Sequence, residues 1–80
     1  MNLEIRTPDK RIFEGKVKSV KVPGRKGAFM VLENHAPIIS TLSKGYVEYE
    51  ATNTGMQSVS IGGGVIEVQH NKIIILAENL

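Results

Sequence analysis

The residue types of a nucleophilic triad are present in this chain, but their surroundings do not favour catalysis. Ser40 could serve as a nucleophile, His35 as its base and Asp9 as the group that orients the histidine. A hydrolase serine of the elbow type has glycines two positions before and after it, whereas Ser40 lies in an apolar run. His35 precedes Ala36-Pro37 in an irregular corner, so we expect its ring to order that corner by bonding backbone groups. We predict no catalytic residue here.

His70 and the glycine triplet 62–64 are the other positions at which a metal or an anion could bind. His70 precedes Asn71 in a turn pattern and has no second ligand at metal spacing, so we expect a solvated loop residue. A phosphate cradle needs a following helix whose N-terminal amides face the anion. The residues after the triplet, 65–68, have a strand pattern instead, which favours a bend or close backbone packing. The sequence predicts no metal and no cofactor.

A basic patch could instead bind nucleic acid. Its members are Lys16, Lys18, Lys21, Arg25 and Lys26. A protein that binds single strands also needs aromatic side chains stacked on one face. Tyr46 and Tyr49 are an odd number of residues apart, so a regular strand places them on opposite faces. A solvated face is the favoured interpretation, and a small β-domain that binds single-stranded nucleic acid is kept as the alternative function.

The elements that position these residues are strands along nearly the whole chain, because apolar and polar residues alternate. Pro8-Asp9, the segment 52–55 and His70-Asn71 are turn signals. The alternation slips by one residue after Ser19, which predicts a β-bulge. No segment combines a helix cap with an apolar stripe. The pattern predicts an all-β sandwich or barrel of about nine or ten short strands.

The last apolar run, 73–76, is apolar on both faces, whereas a sandwich strand needs only one apolar face. Two explanations are open. Either another chain covers the outer face, or the strand is central in its sheet and its outer face lies under a loop.

Composition indicates one ordinary globular domain, residues 1–80. The chain is 41% hydrophobic and 22% charged, has a net charge of +2 and contains no cysteine. Without disulfides or thiolate metal sites, its stability must come from a well-packed core or from association with a partner. The small positive charge does not require nucleic acid. No apolar run approaches the roughly 20 residues that span a bilayer, and the first residues do not form a signal peptide, so we expect a soluble protein.

Several segments, taken in order, resemble the N-terminal β-sandwich domain of ATP synthase epsilon subunits. The resemblance is carried by residues 22–29, 34–40, Gly45, 62–68 and 71–78, together with the opening residues 3–8 and 13–15. The series covers nearly the whole chain with gaps similar to those of the family.

The resemblance implies a β-sandwich of about ten strands in two sheets and a function without catalysis. The implied function is that of a central-stalk rotor subunit of the F-type ATP synthase, which links the gamma subunit to the membrane rotor ring and couples proton flow to ATP synthesis. The implied location is peripheral, at the cytoplasmic face of the bacterial inner membrane or the matrix or stroma side in an organelle. The loop that resembles the ring-facing tip comprises Gly24, Arg25, Lys26, Gly27, Ala28 and Phe29. The side that resembles the gamma contact comprises His35, Ala36, Pro37, Ile38, Ser40, Thr41 and Leu42.

Two features differ from many family members. Many carry an acidic residue after the second loop glycine, where this chain has Ala28 beside Arg25 and Lys26, so a ring contact would use different charges. Longer members continue into a C-terminal pair of helices that carries inhibition of ATP hydrolysis and, in some bacteria, an ATP-binding motif. This sequence ends at Leu80, so we expect a form without the helical hairpin, and neither property is transferred.

Overall fold

The computed structural model describes residues 1–78, which form eight β-strands and no helix. Because these residues form only strands and connections, they include no helix long and apolar enough to cross a membrane. The strands are β1 (Asn2–Arg6), β2 (Arg11–Val22), β3 (Phe29–Leu32), β4 (Ile38–Leu42), β5 (Gly45–Ala51), β6 (Gly55–Ile61), β7 (Gly64–Gln69) and β8 (Lys72–Ala77).

Two sheets are built around the long strand β2, which belongs to both. The first part of β2 pairs with β1, and its second part pairs with β3 on one side and β5 on the other. The first sheet has the order β4-β7-β8-β1-β2, and the second has the order β3-β2-β5-β6. The predicted all-β sandwich is therefore confirmed. The strand count is eight and not ten, partly because β2 serves both sheets as one continuous strand.

A bulge lies where β2 passes from one sheet to the other. Val17 pairs with Ala51 and Ser19 pairs with Glu50, so Lys18 is an extra residue on β2. An extra residue bends a strand and increases its twist, which here helps β2 to leave the first sheet and enter the second. The bulge predicted after Ser19 is thus present one residue earlier.

The core lies between the two sheets and is made of aliphatic side chains. Its largest fully buried members are Leu3, Ile5, Ile61, Ile66, Ile73, Ile75, Val20, Val22, Val31 and Val47. The rings of Phe13 and Tyr49 add a tilted aromatic pair with centroids 4.5 Å apart. Both sheets contribute side chains to this core, so each sheet buries its apolar face against the other.

The last strand, β8, lies in the middle of the first sheet. It is antiparallel to β7 and parallel to β1. Ile73 and Ile75 are fully buried in the core, whereas Leu76 on the opposite face is 52% exposed. The central position is therefore confirmed, but none of the described residues covers Leu76 in the manner of an overlying loop. An apolar outer face remains open beside Val65, which is Leu76's pairing partner on β7.

The predicted turns are present. His70 and Asn71 connect β7 to β8 with φ angles of 51° and 59°, which is the left-handed pair that a tight two-residue hairpin needs. In the turn between β1 and β2, the hydroxyl of buried Thr7 accepts hydrogen bonds from the N–H groups of Asp9 and Lys10, both at 3.3 Å. These local bonds fix the ends of the strands.

Candidate protein-binding site

The loop between β2 and β3 forms a tight turn with two basic side chains at its tip. The Gly27 N–H donates to the Gly24 carbonyl at 3.0 Å, and Gly27 has a φ angle of 131°. A Cβ at Gly24 would lie 2.5 Å from the Gly27 carbonyl oxygen and 2.8 Å from the Phe29 ring. Gly24 is therefore needed to let the turn close against Phe29. Arg25 and Lys26 are left exposed at the tip.

This loop is bonded directly to the end of β4. The Arg25 N–H donates to the Thr41 carbonyl at 3.1 Å, and the Ser43 N–H donates to the Pro23 carbonyl at 2.8 Å. The Ser43 hydroxyl donates to the same Pro23 carbonyl at 3.1 Å. The predicted ring-facing loop and the predicted gamma-facing segment are thus neighbours in space, although they are separate in sequence.

A groove of about 530 Å³ lies between the loop and β4. We call it the β4 groove. Its lining residues are Gly24, Arg25, Lys26, Gly27, Phe29, Ile38, Ile39, Ser40 and Thr41. The groove therefore combines two cationic side chains with an apolar floor, and it draws residues from both predicted contact surfaces.

The corner that precedes β4 is ordered by its own backbone, as predicted for His35. The His35 N–H donates to the Leu32 carbonyl at 3.1 Å. The ring Nδ1 lies 2.7 Å from the Ala36 carbonyl oxygen, and it donates to that oxygen in the tautomer that carries its proton on Nδ1. Asn34 adopts a φ angle of 67°, which reverses the chain after β3. The histidine ring therefore stabilises this corner through its hydrogen bond to the backbone.

The predicted contact residues differ in their accessibility. Arg25, Lys26, Gly27, Ala28, Ala36, Pro37 and Thr41 are exposed, whereas Phe29, His35, Ile38 and Ser40 are partly buried and Gly24 and Leu42 are buried. The Leu42 side chain is only 4% exposed and packs in the core, so it is not available to a partner. Ile39 is absent from the predicted set although its side chain is 74% exposed. Strand alternation carried that signal, because Ile39 and Leu42 must face opposite sides.

The triad residue types do not form a catalytic arrangement. Asp9 lies in the turn between β1 and β2, whereas Ser40 lies on β4 at the far edge of the first sheet. The Ser40 hydroxyl donates to the Thr41 carbonyl at 3.3 Å. Within residues 1–78, no group of three or more histidine, aspartate or glutamate side chains could hold a metal ion.

The glycine triplet has the structural role that was predicted. Gly64 begins β7 with a φ angle of 151°, and a Cβ there would lie 2.2 Å from the Leu76 carbonyl oxygen. Glu78 bonds the triplet through its backbone, since its N–H donates to the Gly63 carbonyl at 2.9 Å. The triplet lets two backbones approach closely, and a strand, β7, follows it instead of a helix.

The basic patch lacks the features of a nucleic-acid surface. Lys18 lies 4.0 Å from the carboxylate of Glu50, and Lys21 is paired across the strands with Glu48. Tyr46 is 64% exposed and Tyr49 is 5% exposed, on opposite faces as predicted. No pair of tyrosines forms a stacking platform, and the nucleic-acid alternative has no support.

Comparison with known proteins decides the family. The model of the β-sandwich domain of the ATP synthase delta/epsilon chain matches residues 1–80. The chain belongs to this family. It is 40% identical over 78 residues to the ATP synthase epsilon chain of Sulfurimonas denitrificans, covering 98% of this chain and 60% of that one. It has the same identity over the same length to the epsilon chain of Chlorobaculum tepidum, of which it covers 89%. The chain thus spans about three fifths of the first relative and nearly nine tenths of the second.

Solved structures support the fold. The chain is similar to a chain of the Euglena gracilis mitochondrial ATP synthase, in a structure of OSCP/F1/c-ring, with a TM-score of 0.86 and 22% identity over 94% of this chain and 48% of that one. It is also similar to a chain of the central stalk/c-ring of the Tetrahymena thermophila mitochondrial ATP synthase, with a TM-score of 0.81 and 16% identity over 98% of this chain and 63% of that one. At these sequence identities the likeness establishes a shared β-sandwich fold and nothing further.

Proposed function

We propose that this chain is a central-stalk rotor subunit of a proton-translocating F-type ATP synthase, which links the gamma subunit to the membrane rotor ring. The observation that carries the proposal is the family match over residues 1–80, together with 40% identity to an epsilon chain of which this chain covers 89%. In this function the domain transmits torque between the ring and gamma and so couples proton flow to ATP synthesis.

The surfaces proposed to contact the ring and gamma lie on the two sides of the β4 groove. The exposed end of the loop, at Gly27 and Ala28, faces the polar loops of the ring, and the side formed by His35 to Thr41 faces gamma. Arg25 and Lys26 lie between these two surfaces, on the wall of the β4 groove. We add the exposed Ile39 to the proposed gamma contact. Leu42 is buried in the core, so it supports this surface from beneath and does not touch the partner. The proposal is supported by the position of both surfaces on adjoining segments, because a linking subunit must be able to touch two partners at once.

The chain performs no catalysis and binds no cofactor in this role. The proposal is supported by the separation of Asp9 from Ser40 and by the hydrogen bond between the His35 ring and the Ala36 carbonyl. In this proposal the protein lies at the cytoplasmic face of the bacterial inner membrane, or on the matrix or stroma side in an organelle. The other subunits of the complex hold it there, and no segment of this domain is inserted into the membrane.

Co-expression with a tagged gamma subunit of the same synthase tests the function. We expect the chain to co-purify with gamma in a one-to-one complex on size-exclusion chromatography. A chain that is folded by circular dichroism but does not associate with gamma would overturn the proposal.

A matched pair of variants tests the surface. Ile39→Glu places a charge on the proposed contact, and Met56→Glu places the same charge on β6, where the side chain is 64% exposed. We expect only Ile39→Glu to lose gamma. If both variants retain gamma equally, the assignment of this surface is wrong.

A further inference from the structure

The outer edge of β4 is only partly paired. Thr41 and Ser43 direct backbone groups away from β7, toward Arg25 and Pro23. Backbone groups alternate in direction along a strand, so those of Ile39 point to the same outer edge. Gly24 forms an isolated bridge with Leu42, and none of the other described residues continues this pairing toward Ile39. The edge at Ile39 therefore offers a free donor and a free acceptor beside the β4 groove.

The charge of the groove selects the kind of segment that can occupy it. Arg25 and Lys26 supply two positive charges, and no acidic side chain is among the lining residues. The floor is apolar, since Phe29, Ile38 and Ile39 contribute their side chains. An occupant that matches this lining carries a carboxylate next to an apolar residue and is extended, because an exposed strand edge pairs with another strand.

We infer that the β4 groove binds a short, extended, acidic segment of the gamma subunit, which adds a strand to the outer edge of β4 at Ile39. The inference rests on the proposed function, since it assigns the segment to gamma. The assignment to gamma follows from continuity: the paired edge belongs to β4, and Ile38, Ser40 and Thr41 belong to both the groove and the proposed gamma contact. The carboxylate of the segment meets Arg25 and Lys26.

Amide hydrogen exchange measured on the ¹⁵N-labelled chain, free and in complex with gamma, tests the added strand. The Ile39 amide should exchange rapidly in the free chain and more slowly by at least about tenfold in the complex, because a new backbone bond protects it. The Asn53 amide, in the exposed loop between β5 and β6, is the internal control and should not change. Rapid exchange at Ile39 in a complex that has formed would overturn this inference alone, whereas failure of the complex to form would overturn the proposed function.

Charge reversal tests the acidic character of the segment. Lys26→Glu should weaken gamma binding by about tenfold at low salt, with a smaller effect as ionic strength rises. Lys10→Glu changes an exposed lysine in the turn between β1 and β2 and should stay within about twofold of the unmodified chain. Equal effects of the two variants would show that the groove does not select an acidic segment.

A third comparison removes the edge donor itself. Ile39→Pro lacks the outward N–H and should weaken binding more than Ile39→Ala, which retains it; both variants are first checked for folding by circular dichroism. Equal binding by the two variants would contradict strand addition. Protection of Ile39 by the isolated rotor ring but not by gamma would overturn the assignment to gamma.

Discussion

Asn34 and Asn71 lie 37 positions apart in the chain and are joined by two hydrogen bonds. The Asn34 N–H donates to Asn71 Oδ1 at 2.7 Å, and Asn71 Nδ2 donates to Asn34 Oδ1 at 3.2 Å. Both residues have positive φ angles, 67° and 59°. The pair ties the corner between β3 and β4 to the hairpin between β7 and β8. It therefore fixes the direction from which the chain enters β4 and the proposed contact surface.

Replacing Asn71 should loosen this connection. Asn71→Gly retains the positive φ angle but loses both side-chain bonds, so we expect the free energy of unfolding to fall by about 1 kcal/mol. His70→Gly changes the neighbouring exposed residue, which also has a positive φ angle, and is expected to stay within about 0.5 kcal/mol of the unmodified chain. Urea unfolding measures both. A smaller loss for Asn71→Gly than for His70→Gly would show that the pair contributes no stability.

Gly64 is the glycine least able to accept a side chain. A Cβ there would lie 2.2 Å from the Leu76 carbonyl oxygen, which is backbone of a central strand and has no room to move. We expect Gly64→Ala to lower the free energy of unfolding by more than about 3 kcal/mol or to prevent folding. The control is Gly55→Ala, which has a φ angle of 79° but nothing within 4 Å of the added carbon. Its expected cost is about 1–2 kcal/mol, from the backbone conformation alone. Thermal unfolding followed by circular dichroism separates the two variants, and equal costs would contradict the backbone clash.

The two faces of β8 should respond differently to truncation. Ile75 is fully buried, so Ile75→Ala should cost about 2–5 kcal/mol by creating a cavity. Leu76 is 52% exposed, so Leu76→Ala should cost less than about 1 kcal/mol in the isolated chain. Urea unfolding of the two variants is the measurement. A large cost for Leu76→Ala would mean that its outer face is covered after all.

Alkaline stability should depend on Tyr49. Burial raises the pKa of Tyr49 above its ordinary value of 10.0. The folded chain therefore keeps a proton that the unfolded chain releases, so this contribution is fully present below pH 10.0 and is lost as the pH rises above that value. We expect Tyr49→Phe to flatten the decline in urea midpoint at higher pH while retaining the contact with Phe13. Tyr46→Phe, at an exposed position, is the control and should leave the decline unchanged.

Local patterns predicted the features that depend on neighbouring residues. The hairpin at His70-Asn71, the opposite faces of Tyr46 and Tyr49, and the bulge near Ser19 all follow from turn chemistry or from a period of two. The same period also implied that Leu42 faces the core and Ile39 faces outward, but the contact set that the family resemblance suggested did not use it.

Features that join distant parts of the chain could not be predicted in the same way. The β4 groove exists because Gly24 bridges Leu42 and Arg25 bonds Thr41, and no spacing in the sequence specifies those pairs. The passage of β2 between two sheets is likewise visible in sequence only as one slip of alternation after Ser19. Tertiary pairing decides where such a strand goes.

The parallel pairing of β1 with β8 determines how the domain responds to force. The pairing runs from Asn2 opposite Lys72 to Arg6 opposite Leu76. A pull on β1 at Asn2 and on β8 at Ala77 acts at opposite ends of this pair, along the strand axes. The two strands would have to slide past each other, and every bond between them would carry the load at the same time. A hairpin such as β5–β6, pulled from its open end, would instead peel apart one bond after another. The strands that lie side by side near the middle of the first sheet thus form a shear-loaded clamp, which is a property suited to the rotor role proposed for this chain.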